Sequence, residues 1–225
     1  MSYDVSETKF VATPEKGEVS ALLMRPENAT HLLVLGHGAG SNMRSPMLAK
    51  IAEGLADVGI ATFRYNFPYS EHGRGRDPNP VCAATARVAC EAAQKAAPDL
   101  ILLAGGHSFG GRMTSTAASQ SPLDGVRGLV FFSFPLHPPG KPGAERAEHL
   151  FEVSCPMLFL TGTRDEFATG DLLPQVVKKL GKRATLHFVD TADHGFKVLK
   201  RSRESKEDVF AEIARVVNEW AADLK

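Results

Sequence analysis

The chain has 225 residues, enough to bury one substantial core and too few for a second sizeable domain, so a single domain over residues 1–225 is expected. Lysine plus arginine and aspartate plus glutamate both number 26, so no global field draws the chain toward nucleic acid or an anionic membrane. No run of eighteen apolar residues could span a bilayer, and the N-terminus lacks a basic region followed by an apolar core; a soluble, cytoplasmic protein is expected. The three cysteines, Cys82, Cys90 and Cys155, have no metal-type spacing and suit a reducing cytosol. On one helix Cys82 and Cys90 stand about 12 Å apart, too far to bridge, and all three read as small buried hydrophobes.

In chain order, residues 8–25 read as two antiparallel strands around the turn Thr13-Pro-Glu-Lys-Gly17, an edge hairpin. His31-Leu-Leu-Val-Leu is a buried strand ending in Gly36-His37-Gly38-Ala39-Gly40, followed by a helix over Pro46–Asp57 with proline in its first turn. Gly59–Phe67 gives a strand, the Gly- and Pro-rich stretch from Pro68 to Pro80 a loop, and Pro80–Ala97 an alanine-rich helix stopped by Pro98. Leu100–Ala104 is an apolar run of the kind buried on both faces of a parallel sheet; a helix over Thr114–Ser119 follows. Val126–Phe134 is a further strand. Pro135–Leu150, with four prolines before Gly143, cannot pair centrally and reads as a short covering segment with a little helix near Ala144–Leu150, too small for a cap. Cys155–Gly162 is a strand, Gly170–Leu180 a helix stopped by Gly181, and Ala184–Val189 the last strand. The final helix, Ser205–Leu224, places Val209, Phe210, Ile213, Val216, Val217 and Trp220 on one face. This alternation predicts an α/β fold: a mostly parallel central sheet with helices on both faces and ligands outside the carboxyl ends of the strands.

Within that frame, Gly106-x-Ser108-x-Gly110 places a serine where a buried strand breaks into a helix. Such a turn strains the serine backbone, and the flanking glycines leave room for it. A serine hydroxyl is a poor nucleophile at neutral pH, so an imidazole must take its proton and a carboxylate must fix the imidazole tautomer. His194, after the last strand, is the candidate base. Asp165, directly after the Met157–Thr161 strand, is the candidate acid, with Glu166 and Asp193 as alternatives; Asp190 and Asp193 otherwise shape the turn before His194. Two backbone donors for an oxyanion are expected from Phe109, which follows Ser108, and Ala39 in the first glycine-rich loop. A phosphate cradle there would need a full G-x-G-x-x-G, which Asn42 and Met43 interrupt.

His37, Gly38, His107 and His137 complete the expected substrate-binding surroundings. His37 is expected to brace its loop, His107 to pack or orient beside Ser108, and His137 to line the pocket wall. Arg74 and Arg76 form a basic loop, either solvated or facing a substrate carboxylate. Arg112 is a cation at a helix start, where the dipole opposes it, so it calls for a partner carboxylate or a ligand anion.

Gly36-His-Gly-Ala-Gly, Gly106-His-Ser-Phe-Gly-Gly-Arg, Thr163-Arg-Asp and Asp193-His-Gly resemble the α/β-hydrolase superfamily across nearly the whole chain, especially its compact dienelactone-hydrolase-like members. Pro135-Leu-His-Pro-Pro-Gly-Lys resembles a narrower subset of these small hydrolases. Dienelactone hydrolases proper use cysteine where this chain has Ser108, so the resemblance does not imply that exact activity. Taken together, a serine hydrolase of a small-molecule ester or thioester is expected, with Ser108, His194 and Asp165 as triad, requiring neither metal nor cofactor. The rival is a protein that keeps the fold for binding or scaffolding without turnover.

Overall fold

Along each strand successive side chains point to opposite faces, and in the central strands of this chain both sets are apolar. In the computed structural model, which describes residues 3–224, strand β3 (His31–Gly36) sends Leu32 and Val34 into one buried cluster and Leu33 and Leu35 into another. Strands β5 (Ile101–His107), β6 (Val126–Phe132) and β7 (Met157–Gly162) divide in the same way, with Leu102, Leu129 and Phe159 on the first side and Leu103, Val130 and Leu158 on the second. Two apolar faces need two helical layers. Helices α1 (Pro46–Asp57) and α6 (Val209–Ala221) cover the second cluster; α3 (Asn79–Ala96), α4 (Phe109–Gln120) and α5 (Leu172–Leu180) cover the first.

The remaining strands are β1 (Tyr3–Thr13), β2 (Gly17–Pro26), β4 (Ile60–Tyr65) and β8 (Ala184–Val189), and the eight form one sheet in the order β1-β2-β4-β3-β5-β6-β7-β8. The β1–β2 hairpin pairs antiparallel and meets β4 antiparallel; every pairing from β4 to β8 is parallel. From β3 the chain first adds β4 on one side and then β5 on the other. The loops after β3 and β5 therefore diverge, and a crevice opens at their carboxyl ends, the usual ligand site of such sheets.

Several boundaries differ from the sequence expectation. The Pro68–Pro80 stretch begins with one helical turn, α2 (Pro68–Glu71), because Pro68 presets the first turn and Glu71 accepts hydrogen bonds from the Asn66 amide at 2.7 Å and the Ser20 hydroxyl at 2.7 Å. Helix α4 starts at Phe109 rather than Thr114, running through Gly110 and Gly111. The sixth strand stops at Phe132, where Ser133 turns to φ 56°. The last helix starts at Val209, after Asp208, whose carboxylate accepts from the Phe210 and Ala211 N–H groups as its cap. Between β6 and β7 the regular structure is a 3-10 stretch, Glu145–Glu152, so no cap domain covers the crevice. Among the described residues no helix is long and apolar enough to cross a membrane.

Candidate active site

Only Ser108 separates β5 from α4, and the reversal forces it to φ 51°, ψ −115°. A non-glycine residue there costs on the order of 1–3 kcal/mol, so its surroundings must hold it in place. Its N–H donates to the Phe132 carbonyl at 2.9 Å. Its neighbours must also be glycine, because the start of α4 presses on the end of β3. A Cβ at Gly110 would fall 2.3 Å from both the carbonyl carbon and oxygen of Gly36, and one at Gly106 would fall 2.5 Å from that oxygen. The glycine pattern is thus a packing requirement that leaves the serine hydroxyl at the crevice.

The hydroxyl, an imidazole and a carboxylate form one line. His194 Nε2 lies 2.9 Å from Ser108 Oγ, and His194 Nδ1 lies 2.9 and 3.0 Å from the two oxygens of Asp165. Asp165 is buried, 3% exposed, and is held by the Phe167 N–H, which donates to Oδ1 at 2.9 Å, and by the Thr161 hydroxyl. Because Oδ1 and Oδ2 can only accept when ionised, Nδ1 carries the ring proton and Nε2 presents a lone pair to the serine. The Phe167 ring lies 4.1 Å from the His194 ring at 30°, fixing its plane. Glu166 is exposed. Asp193 accepts the Gly195 and Lys197 N–H groups, each at 2.9 Å, so it builds the turn that carries His194. The sequence pointed to Asp165 and His194, but not to Phe167, whose Asp-x-Phe spacing was the available signal for the amide cap.

His107 ends β5 at the elbow, and its Nε2–H donates to the His194 carbonyl at 3.0 Å, tying the base loop to the serine turn. Burial holds its pKa down to about 4, so the ring is neutral and serves as a donor. His37 is fully buried. The Phe67 N–H can only donate, so His37 Nε2 accepts from it at 3.2 Å, with the Ser70 hydroxyl 3.1 Å away; the proton sits on Nδ1 and is donated to the Gly38 carbonyl at 2.8 Å. Burial brings its pKa to about 4 as well. His137, expected on the pocket wall, is 1% exposed: its Nε2 accepts the Thr169 N–H at 3.1 Å, and its Nδ1 bonds the Pro138 carbonyl at 2.9 Å. Both His37 and His137 thus commit their two ring nitrogens to holding loops.

Phe109 heads α4, so its N–H belongs to the first four helical amides, which have no partner inside the helix. Gly38 abuts the elbow: a Cβ there would lie 3.2 Å from His107 Nδ1 and 3.9 Å from Ser108 Cβ. Ala39, next in that loop, is exposed. Loop position is fixed further by Asn66, whose side-chain oxygen accepts the Met43 N–H at 2.8 Å. The loop after β3 and the head of α4 thus both adjoin Ser108. Among the described residues no group of three or more His, Cys, Asp or Glu side chains is arranged to hold a metal ion.

A lidless, mostly parallel sheet with a strand–serine–helix elbow is the α/β-hydrolase fold. Residues 29–222 match the family model for the alpha/beta hydrolase domain, and the chain belongs to that family. Solved structures agree on the fold. A dienelactone hydrolase from Anabaena variabilis superposes with a TM-score of 0.72 at 20% identity, covering 98% of each chain. An alpha-beta serine hydrolase homologue from Coxiella burnetii gives 0.74 at 18% identity over 97% of this chain and 99% of that one. A lidless α/β serine hydrolase from Xanthomonas campestris gives 0.71 at 17% identity over 99% and 95%.

Proposed function

We propose that this chain is a serine hydrolase of small esters or thioesters. The observation that carries the reading is the continuous line Ser108 Oγ, His194 Nε2, His194 Nδ1, Asp165, with contacts of 2.9 Å at each joint. Ser108 Oγ attacks the carbonyl carbon as His194 Nε2 takes its proton, and Asp165 holds the Nδ1–H and stabilises the imidazolium. The N–H groups of Phe109 and Ala39 receive the oxyanion. Collapse expels the alcohol or thiol, which takes the proton back from Nε2, and water cleaves the acyl-enzyme by the same steps in reverse order. With only the 3-10 stretch beside the crevice, small or exposed acyl groups fit this reading. The three free cysteines suit work in the cytoplasm.

Fluorophosphonate labelling and a panel of short nitrophenyl esters and acyl thioesters test the reading, each run on the parent chain and on Ser108→Ala. Labelling and turnover that vanish in Ser108→Ala support it. Turnover that persists overturns the nucleophile, and absence of any Ser108-dependent rate leaves a binding or scaffold protein.

A further inference from the structure

Arg76 and Arg112 flank the elbow at Ser108, Arg146 lies near Arg112, and among the described residues no carboxylate forms a salt bridge with any of the three. Arg112 stands one turn into α4, its N–H bonded to the Ser108 carbonyl at 3.1 Å, and helical side chains lean toward the N-terminus, here the elbow. Arg76, between α2 and α3, places its guanidinium over the ring of Phe109, the residue next to Ser108, at 5.2 Å from the centroid. Arg146 lies on the 3-10 stretch that docks on α4, where His149 Nε2 meets the Ser115 hydroxyl at 2.7 Å. Burial first, then the charges of Arg146 and Arg76, lower the proton affinity of Arg112, so the three lie within electrostatic reach of one another.

Among the described residues none of the three forms a salt bridge. Asp77, next to Arg76, is taken by Lys16 at 2.6 Å. Arg112 Nε is buried without a hydrogen-bond partner. His149, held to a pKa of about 4 by burial and then by Arg112, stays neutral and adds no charge to the cluster. Like charges repel, the positive end of the α4 dipole adds to the repulsion, and an unmet buried donor costs stability. All three costs are relieved by one anion.

We propose that Arg76, Arg112 and Arg146 bind an anionic group of the substrate, so that the ester or thioester cleaved at Ser108 carries a carboxylate or a phosphate. The proposal rests on the serine-hydrolase reading above for its substrate, though not for the anion site itself. Guanidinium groups meet either anion with paired N–H donors.

Two matched pairs of substrates separate the sources: the mono-4-nitrophenyl ester of glutaric acid against 4-nitrophenyl butyrate for an acyl-side carboxylate, and butyryl-coenzyme A against butyryl-N-acetylcysteamine for a leaving-group phosphate. In at least one pair kcat/KM favours the anionic member by about tenfold or more. That ratio falls about tenfold in Arg112→Gln and in Arg76→Gln, is partly kept in Arg112→Lys, and shrinks with added salt. Ratios near one in both pairs, or a preference untouched by the arginine substitutions, overturn the proposal. Arg76 is exposed, so Arg76→Gln carries the conclusion if Arg112→Gln does not fold. Should no turnover depend on Ser108, calorimetry of inorganic phosphate with Ser108→Ala decides separately. Binding that Arg76→Gln weakens sustains the anion site while the hydrolase reading fails, and absence of binding overturns both.

Discussion

Replacing Asp165 by asparagine tests the proposed line at its buried end. The carboxylate accepts from the Phe167 N–H at 2.9 Å, from the Thr161 hydroxyl, and from His194 Nδ1 at 2.9 and 3.0 Å. An amide of the same shape has one accepting and one donating end. Because the Phe167 N–H can only donate, the amide oxygen is drawn to the Oδ1 position and the NH2 group faces the imidazole. A donor there is tolerated only if Nδ1 is bare, which moves the ring proton to Nε2 and points it at Ser108 Oγ. That tautomer cannot take the serine proton. The expected loss in kcat is about 10⁴-fold, the size of a tautomer error in a Ser-His-Asp system, or about 5.5 kcal/mol of barrier. The Phe167 bond survives, so urea unfolding should show a folded protein of nearly parental cooperativity. The assay is steady-state hydrolysis of the best short ester from the panel, with the Ser108→Ala rate subtracted. A folded Asp165→Asn protein that kept turnover within about tenfold of its parent would refute the tautomer argument.

Three further outcomes follow from the packing and the buried groups. Gly110→Ala puts a methyl 2.3 Å from two backbone atoms of Gly36, which cannot rotate away; the start of α4 must shift, lowering stability by about 1–3 kcal/mol or more, and an unchanged urea midpoint contradicts that packing. His37 and His107 are held to about 4 by burial against an ordinary value of 6.5. The unfolded chain thus binds protons that the folded chain refuses: their contribution is complete above about pH 6.5 and is lost as pH falls toward about 4, with wholly buried His37 alone worth on the order of 3 kcal/mol. Unfolding free energies measured across that window should decline, and a flat profile would count against neutral buried rings. Burial also pushes the Cys82 and Cys90 thiols up to about 12, so at about pH 8 their thiolate fraction is roughly 10⁻⁴ and Ellman's reagent should reach them only on unfolding; prompt reaction of either in the native protein contradicts this.

The layered sheet was legible because two-sided apolar runs such as Leu102–Ala104 and Leu158–Leu160 have few places to go other than a buried parallel strand. The serine turn was legible because Gly106 and Gly110 interrupt an apolar strand at a fixed spacing. Less visible were features set by tertiary partners. The Pro68–Glu71 turn depends on Ser20 and Asn66 meeting Glu71, and Ser20 is 51 positions away along the chain. The arginine cluster unites residues from three separate segments, and what distinguishes it from solvated surface charge is set by the fold: Arg112 Nε is buried without a partner, and among the described residues none of the three arginines has a salt bridge.

The loop histidines show why residue type alone misassigns roles around such a site. A neutral imidazole offers one donor and one acceptor on opposite sides of a rigid ring, so a buried histidine can join a carbonyl of one segment to an amide of another. His37 does this between its own loop, at the Gly38 carbonyl, and the segment after β4, at the Phe67 N–H. His137 repeats it between the Pro138 carbonyl and the Thr169 N–H, linking the proline-rich segment to the loop that carries Asp165. His107 uses its donor to hold the carbonyl of the residue that faces Ser108. Each link ties together two segments at the carboxyl ends of the strands, and His37 and His137 commit both ring nitrogens in doing so, while His107 commits Nε2. Of the histidines expected around the crevice, only His194 has one nitrogen held by a carboxylate and the other directed at a hydroxyl, which is the single arrangement among them that can move a proton to and from Ser108.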